Sequence, residues 1–319
     1  MIKWGMVGNS HDASLAVFDD NKLYWAALSK DFSDVPHDPD FNWTLLEVAR
    51  QSFGPPSEIY WYERPFLKTL RQLRAGQGWL WNENNIRTYL KRWSIDAPIK
   101  YTTHHLSHAA YAYYTQPNDN CAVICLDSIG EFDTLTIWHG KNETLRKIYT
   151  QRYPHSIGLF YSAMTQRIGL TPQRDEYKVA QMAIKGDPLR LYKAMYRDLL
   201  GHGRKVFNTK ENLHRGCKWW RPDLVTKQDM NDIAATTQLI FEETLKQLSF
   251  KAFHETDAQS LALAGGGALN KQGVEKIQKD WENIWVPPNP GDPGSCIGAV
   301  LAHTKTKIVS VDKRWYQRV

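Results

Sequence analysis

The feature that most limits how this chain can fold is a pattern that occurs twice. Strand-like apolar runs at Lys3 to Val7, Ser14 to Phe18 and Lys22 to Leu28 are separated only by a polar loop, Gly8-Asn9-Ser10-His11-Asp12, and a tight turn at Asp19-Asp20-Asn21. From Cys121 the pattern restarts. A strand to Leu126 meets a loop, Asp127-Ser128-Ile129-Gly130-Glu131, then strands Thr134 to Trp138 and Leu145 to Tyr149 joined by a turn at His139-Gly140-Lys141-Asn142. Each half opens on a strand, carries an Asp in the first loop (Asp12, Asp127), runs through a meander and turns to helices. Two lobes follow, residues 1–119 and 120–319, and 319 residues with 42% hydrophobic content supply enough apolar surface for both.

The remaining elements fill in that plan. An amphipathic helix is predicted from Trp43 to Ser52, a strand from Glu58 to Tyr62, helices from Phe66 to Arg74 and Glu83 to Trp93, and a strand from Ile99 to Thr103. In the second half helices dominate from Ser156 to Phe250. A buried strand, Ser260 to Ala264, runs into a glycine turn and a helix; a last strand, Asn283 to Val286, leads through a Pro/Gly loop to a helix from Ser295 to His303.

No apolar run reaches membrane-spanning length, and Met1-Ile2-Lys3-Trp4 leads into a strand instead of a signal segment, so a cytoplasmic chain with no membrane partner is expected. Four cysteines without a C-x-x-C pair argue against a disulfide framework. The net charge of +6 is clustered: Arg190, Lys193, Arg197, Arg204, Lys205, Lys210, Arg215, Lys218, Arg221 and Lys227 stand against Asp198, Glu211 and Asp223, with Trp219 and Trp220 among them. Bases interleaved with aromatics suit a nucleic acid, whose phosphates attract cations and whose bases stack on rings; they equally suit a solvated basic face near 190–227.

Thr103-His104-His105-Leu106-Ser107-His108 places three imidazoles within five residues at the start of an Ala-rich helical run. On a helix His104 and His108 share one face a turn apart, the spacing at which two imidazoles bind one metal ion, although ordinary helix-start histidines have the same spacing. Asp127 at a strand end and Asp292 in a rigid loop could complete such a set and leave coordination positions open. Gly265-Gly266-Gly267-Ala268-Leu269-Asn270, between strand and helix, can cradle a phosphate or simply allow close packing.

In their order these motifs resemble the O-carbamoyltransferase family that decorates antibiotics and nodulation factors. The matching stretches are Gly8 to Ser14, His37-Asp38, Tyr62-Glu63-Arg64-Pro65, His104 to Ala110, Leu126 to Glu131, Pro154 to Ala163, Glu176 to Val179, Leu263 to Asn270 and Pro290 to Gly294. The resemblance implies an α/β fold of two duplicated lobes, Kae1-like and related to actin, Hsp70 and the sugar kinases. It implies that His104, His108, Asp127 and Asp292 hold a divalent metal, iron(II). Gly130, Gly265, Gly266, Gly267 and Asn270 would then hold ATP or carbamoyl-adenylate, with His11, His37 and Lys178 near the carbamoyl group. The family continues into a YrdC-like domain that makes the adenylate from carbamoyl phosphate and ATP. These 319 residues match the transferring half alone, which leaves two expectations open, a separate YrdC-like activating protein as partner or a different use of carbamoyl phosphate by the two lobes; a homodimer is left open as well.

The expected activity is carbamoyl transfer to a hydroxyl-bearing acceptor, with a hydroxymethylated pyrimidine in DNA or a nucleotide suggested by the basic stretch. A small sugar-like alcohol, tRNA threonylcarbamoyl transfer and a non-catalytic nucleotide-binding scaffold are the alternatives.

Overall fold

The computed structural model describes residues 1–10, 12–201, 203, 205–308 and 310–316. The repeat in the sequence becomes two five-stranded sheets of identical order. The first contains β1 (Ile2–Val7), β2 (Ser14–Asp19), β3 (Lys22–Leu28), β4 (Glu58–Trp61) and β5 (Ile99–Tyr101) in the order β3-β2-β1-β4-β5. The second, from β6 (Asn120–Gly130), β7 (Asp133–Lys141), β8 (Thr144–Arg152), β9 (Ser260–Ala264) and β10 (Asn283–Trp285), runs β8-β7-β6-β9-β10. In each sheet the meander is antiparallel, because its tight turns reverse the chain. The last two strands join parallel, because helices carry the chain back.

The helices of the first half are α1 (Lys30–Ser33), α2 (Trp43–Phe53), α3 (Pro65–Arg74), α4 (Ile86–Arg92) and α5 (His104–Tyr114). Those of the second are α6 (Ile157–Arg167), α7 (Glu176–Ala183), α8 (Tyr192–Asp198), α9 (Lys227–Thr256), α10 (Lys271–Ile277) and α11 (Ser295–Thr304). The lobes exchange their final helices: α5 packs on β6, β9 and β7 of the second sheet, and α11 lies on β1, β2 and β4 of the first. Strand β6 records the exchange in its alternation. Cys121, Val123 and Cys125 join one core with α5 and α11, while Ala122, Ile124 and Leu126 face a second core under α6 and α9. Helices α5 and α11 also pack on each other, closely enough that a Cβ on Gly298 would sit 1.9 Å from the Ser107 carbonyl oxygen.

Helix α1 has no counterpart in the sequence reading, and the first loop of the second half departs from it. Asp127 to Gly130, expected as a loop, continues β6, with pairing broken after Leu126 and resumed at Gly130 opposite Asp133. The turn closes at Glu131, whose φ is +58°, and the interruption is a bulge that re-aims side chains out of the ladder. Among the described residues no helix is long and apolar enough to cross a membrane.

Candidate metal centre

Helix α5 is buried on nearly every side, and its first residue already belongs to a polar cluster. His104 and His108 are 3% and 0% exposed. One turn apart, both aim Nε2 the same way, 3.1 Å from each other. Asp127, at the bulge of β6, brings Oδ2 to 3.1 Å from His104 Nε2. Asp292, in the short turn before α11, brings Oδ1 to 3.3 Å from both imidazoles. The four ligand atoms lie within 4.8 Å of one another. The crossed helices thus deliver one pair from α5, one carboxylate from the second sheet and one from the entry to α11.

Neighbouring groups hold that geometry. His108 Nδ1 faces Ser295 Oγ at 3.3 Å, and Ser14 Oγ donates to the Pro293 carbonyl at 2.8 Å, tying the Asp292 turn to the first lobe. The His104 ring packs on Tyr62, with centroids 5.4 Å apart, and its Nδ1 is buried without a hydrogen-bond partner. Gly130 lies against the same ring, where a Cβ would come 2.2 Å from Cδ2. His105 turns away to Thr136 Oγ1 at 2.9 Å, and burial pulls it down to about 3, a neutral structural residue. Burial also opposes charge on His104, yet the Asp292 charge and the hydrogen bonds His104 donates to Asp127 and Asp292 outweigh it and raise this imidazole well above its ordinary value. Asp127, despite burial, is held low by its hydrogen bond to His104.

Two imidazole nitrogens pointing at each other and at two carboxylate oxygens form a poor arrangement for protons alone and a fitting one for a cation. The N2O2 donor set suits a borderline divalent transition metal.

The glycine turn adjoins this cluster. Gly265 has φ +84° and donates its N–H to the Pro290 carbonyl at 2.8 Å, linking the turn to the Asp292 loop. A Cβ on Gly266 would have only Asp127 Oδ1 nearby, at 3.7 Å, whereas one on Gly267 would clash with Leu126 Cβ at 2.6 Å. Asn270 caps α10 by accepting from Gly273 N–H at 2.9 Å and pairs with the Gln238 amide. Its side chain is committed to the lobe itself.

Two of the other expected site residues, His37 and Lys178, are described with acidic partners of their own. His37, in a loop with φ +55°, sets Nδ1 3.0 Å from both Asp12 oxygens. Lys178 on α7 pairs with Asp175 at 2.9 Å, which raises its ammonium. His11 lies outside the described residues, as does Arg204 of the basic stretch.

Sequence reasoning gave no role to Glu131. It is buried, accepts the Arg64 N–H at 2.6 Å, and burial lifts its carboxyl to about 7. A lone acid after a loop carries no sequence signal of burial. The basic stretch also changes character. Arg190 pairs with Asp229 and Asp232, Arg197 with Asp198 and Arg221 with Asp223, while Trp220 is buried with Nε1 3.0 Å from Asp198. Trp219 stays 58% exposed, and Lys193, Lys205 and Lys218 remain at the surface.

Comparison with known proteins decides the family. The model of the carbamoyltransferase N-terminus matches residues 67–301. The chain belongs to this carbamoyltransferase family. The family chain is 28% identical to an uncharacterised Synechocystis protein, sll1178, over 93% of its own length and 56% of the relative's. It is 27% identical to the nodulation protein NolNO of Sinorhizobium fredii, over 64% of its own length and 31% of NolNO's. It therefore spans about half or less of these longer relatives. Among solved structures, component A of (R)-2-hydroxyglutaryl-CoA dehydratase from Acidaminococcus fermentans superimposes with TM-score 0.51 at 13% identity, covering 96% of this chain and 98% of that one. The activator of 2-hydroxyisocaproyl-CoA dehydratase from Clostridium difficile, solved with bound ADPNP, gives 0.51 at 12% identity, covering 95% and 94%. The fold of this carbamoyltransferase-family chain is the two-lobed actin/Hsp70-like α/β architecture.

Proposed function

We propose that this chain transfers a carbamoyl group from carbamoyl phosphate or carbamoyl-adenylate to a hydroxyl-bearing acceptor. The observation that carries the reading is the quartet His104, His108, Asp127 and Asp292, converged beside the glycine turn in a chain whose family is carbamoyltransferase. These four residues would hold a divalent metal, iron(II) by the family resemblance, and the ion would supply a Lewis acid for a phosphate or carbonyl oxygen. The ADPNP in the Clostridium activator supports a nucleotide at the turn formed by Gly265, Gly266 and Gly267, to which the family resemblance adds Gly130 and Asn270.

Carbamoyl transfer forms a bond from the acceptor oxygen to the carbamoyl carbon and breaks the bond from that carbon to the phosphate oxygen. The phosphate or AMP leaves with the bonding pair, and the hydroxyl proton needs a base. Asp12 against Nδ1 fixes the His37 tautomer that keeps its proton on that nitrogen, so Nε2 is left as the proton acceptor. Lys178, a surface ammonium held by Asp175, is suited to balance the anionic donor. His11 is assigned to the same group on the family motif.

The activation step falls to a YrdC-like partner or to sequence of the kind that makes the relatives longer. For the acceptor, exposed Trp219 with Lys193, Lys205 and Lys218 supports a hydroxymethylated pyrimidine, in DNA or as a nucleotide. Incubation with ATP, carbamoyl phosphate, a YrdC-like protein and either 5-hydroxymethylcytosine DNA and nucleotides or amino sugars tests the reading. Gain of one carbamoyl on the pyrimidine is the expected mass; gain on sugars alone removes the pyrimidine acceptor, and no gain on any alcohol removes carbamoyl transfer.

A further inference from the structure

Helix α3 carries a buried cation that none of the chemistry above uses. Arg71 is 8% exposed. Its Nη1 binds Gln77 Oε1 at 3.0 Å, its Nε is buried without a hydrogen-bond partner, and among the described residues no carboxylate oxygen comes within the 4.0 Å of an ion pair. The acid whose charge acts on it, Glu63, is already paired with Lys68 at 2.6 Å. A guanidinium withdrawn from water with donors unmet is costly to fold around, and the group that repays it best is a planar or tetrahedral oxyanion.

The surroundings of Arg71 come from both lobes. Tyr62, which packs on His104, and Tyr153 of the second lobe lie in its field. His214 stacks edge-on against Tyr153 with centroids 5.7 Å apart, and burial with the charges of Arg71 and Arg215 keeps it below its ordinary value. Arg215 reaches back to the first lobe: a Cβ on Gly76 would lie 3.4 Å from its guanidinium. His214 and Arg215 also line a cavity of about 220 Å³ with Ser162 and Gln166.

We infer that Arg71, with His214 and Arg215 beside it from the second lobe, forms an interlobe oxyanion site that takes a phosphate group of the acceptor. The inference rests on the transfer reading for the word acceptor, and the site belongs to that side of the molecule. The glycine turn is built on β6 and the Pro290 loop, whereas Arg71 is reached through α3 and the segment holding His214. A phosphorylated alcohol is then preferred over a neutral sugar, since the sugar leaves the guanidinium unmet.

The test is direct binding without any donor, so it is independent of whether carbamoyl is transferred. Calorimetric titrations of the full chain use 5-hydroxymethyl-dCMP, the matching nucleoside and inorganic phosphate, with the native protein, Arg71→Gln and Arg71→Lys. The expected result is that the nucleotide binds about 10-fold or more tighter than the nucleoside, an advantage lost in Arg71→Gln and partly kept in Arg71→Lys. Equal binding of nucleotide and nucleoside by the native protein overturns the inference, even if a variant fails to fold. So does an advantage that survives in Arg71→Gln, or the absence of saturable binding of any phosphate. Inorganic phosphate bound through Arg71 with no gain for the nucleotide assigns the site to free phosphate and overturns the acceptor assignment.

Discussion

The Nε2 atoms of His104 and His108 lie 3.1 Å apart, one turn along a helix that leaves the first sheet and packs on the second. A substitution that moves either ring therefore acts on the lobe interface and on the candidate metal centre at once.

Gly130→Ala is the smallest such change. The new Cβ would lie 2.2 Å from His104 Cδ2, on a bulged strand that cannot retreat without breaking the Gly130–Asp133 pair. Overpacking of this kind costs about 1–3 kcal/mol. Metal affinity should fall by about 10-fold or more, a size typical of disturbing the support of a ligating histidine. Denaturant unfolding and metal titration of the variant measure the two effects; a native affinity in the folded variant would contradict the packing account.

Gly298→Ala tests the exchange of helices. Its Cβ would meet the Ser107 carbonyl oxygen at 1.9 Å, backbone against backbone. A loss of about 2–3 kcal/mol in unfolding free energy is expected, larger than for Gly266→Ala, whose Cβ has only Asp127 Oδ1 at 3.7 Å. Urea midpoints of the two variants give the comparison.

Glu131 sets a pH dependence in the chelated protein. Burial raises its folded carboxyl from 4.5 to about 7, against the hydrogen bond from Arg64 N–H and the charge of His104, with Glu63 adding to the rise. A raised carboxyl favours the protonated form in the folded state, so its contribution is full below pH 4.5 and is lost as pH rises through 7. The loss is about 3 kcal/mol at most. Glu131→Gln should flatten this slope of stability between pH 4.5 and 7; an unchanged slope would assign it to other groups.

Much of the architecture was legible because strand alternation and turn chemistry are local. The strands Lys22–Leu28 and Ser260–Ala264 have the limits that their patterns gave. The helical spacing placed His104 and His108 on one face, while Asp127 and Asp292 were candidates by their positions at a strand end and in a rigid loop and were assigned to the same ion by family resemblance, since nothing local links them to α5. The exchange of α5 and α11 was hidden because periodicity reports which face of a helix is apolar and not which sheet receives it. Asp127 reads as a loop residue because Asp-Ser and Gly-Glu are turn-like, and a bulge between ladder pairs has the same composition. Charge runs mislead for a related reason: Asp229 and Asp232, which neutralise Arg190, stand just past the basic stretch on the first turns of α9. Arg71 reads in sequence as one more basic residue on an exposed helix, and only its burial sets it apart.

On the proposed function, His104, His108, Asp127 and Asp292 hold one divalent ion between the lobes. The most direct test is metal content after anaerobic loading with iron(II) and desalting, for the native chain and for His108→Ala, with folding checked by circular dichroism. One equivalent in the native chain and less than about a tenth in the folded variant is the expected result, since a site reduced to three ligands loses the chelating pair on α5. Equal metal content in the two proteins, or none in the native chain, would contradict it.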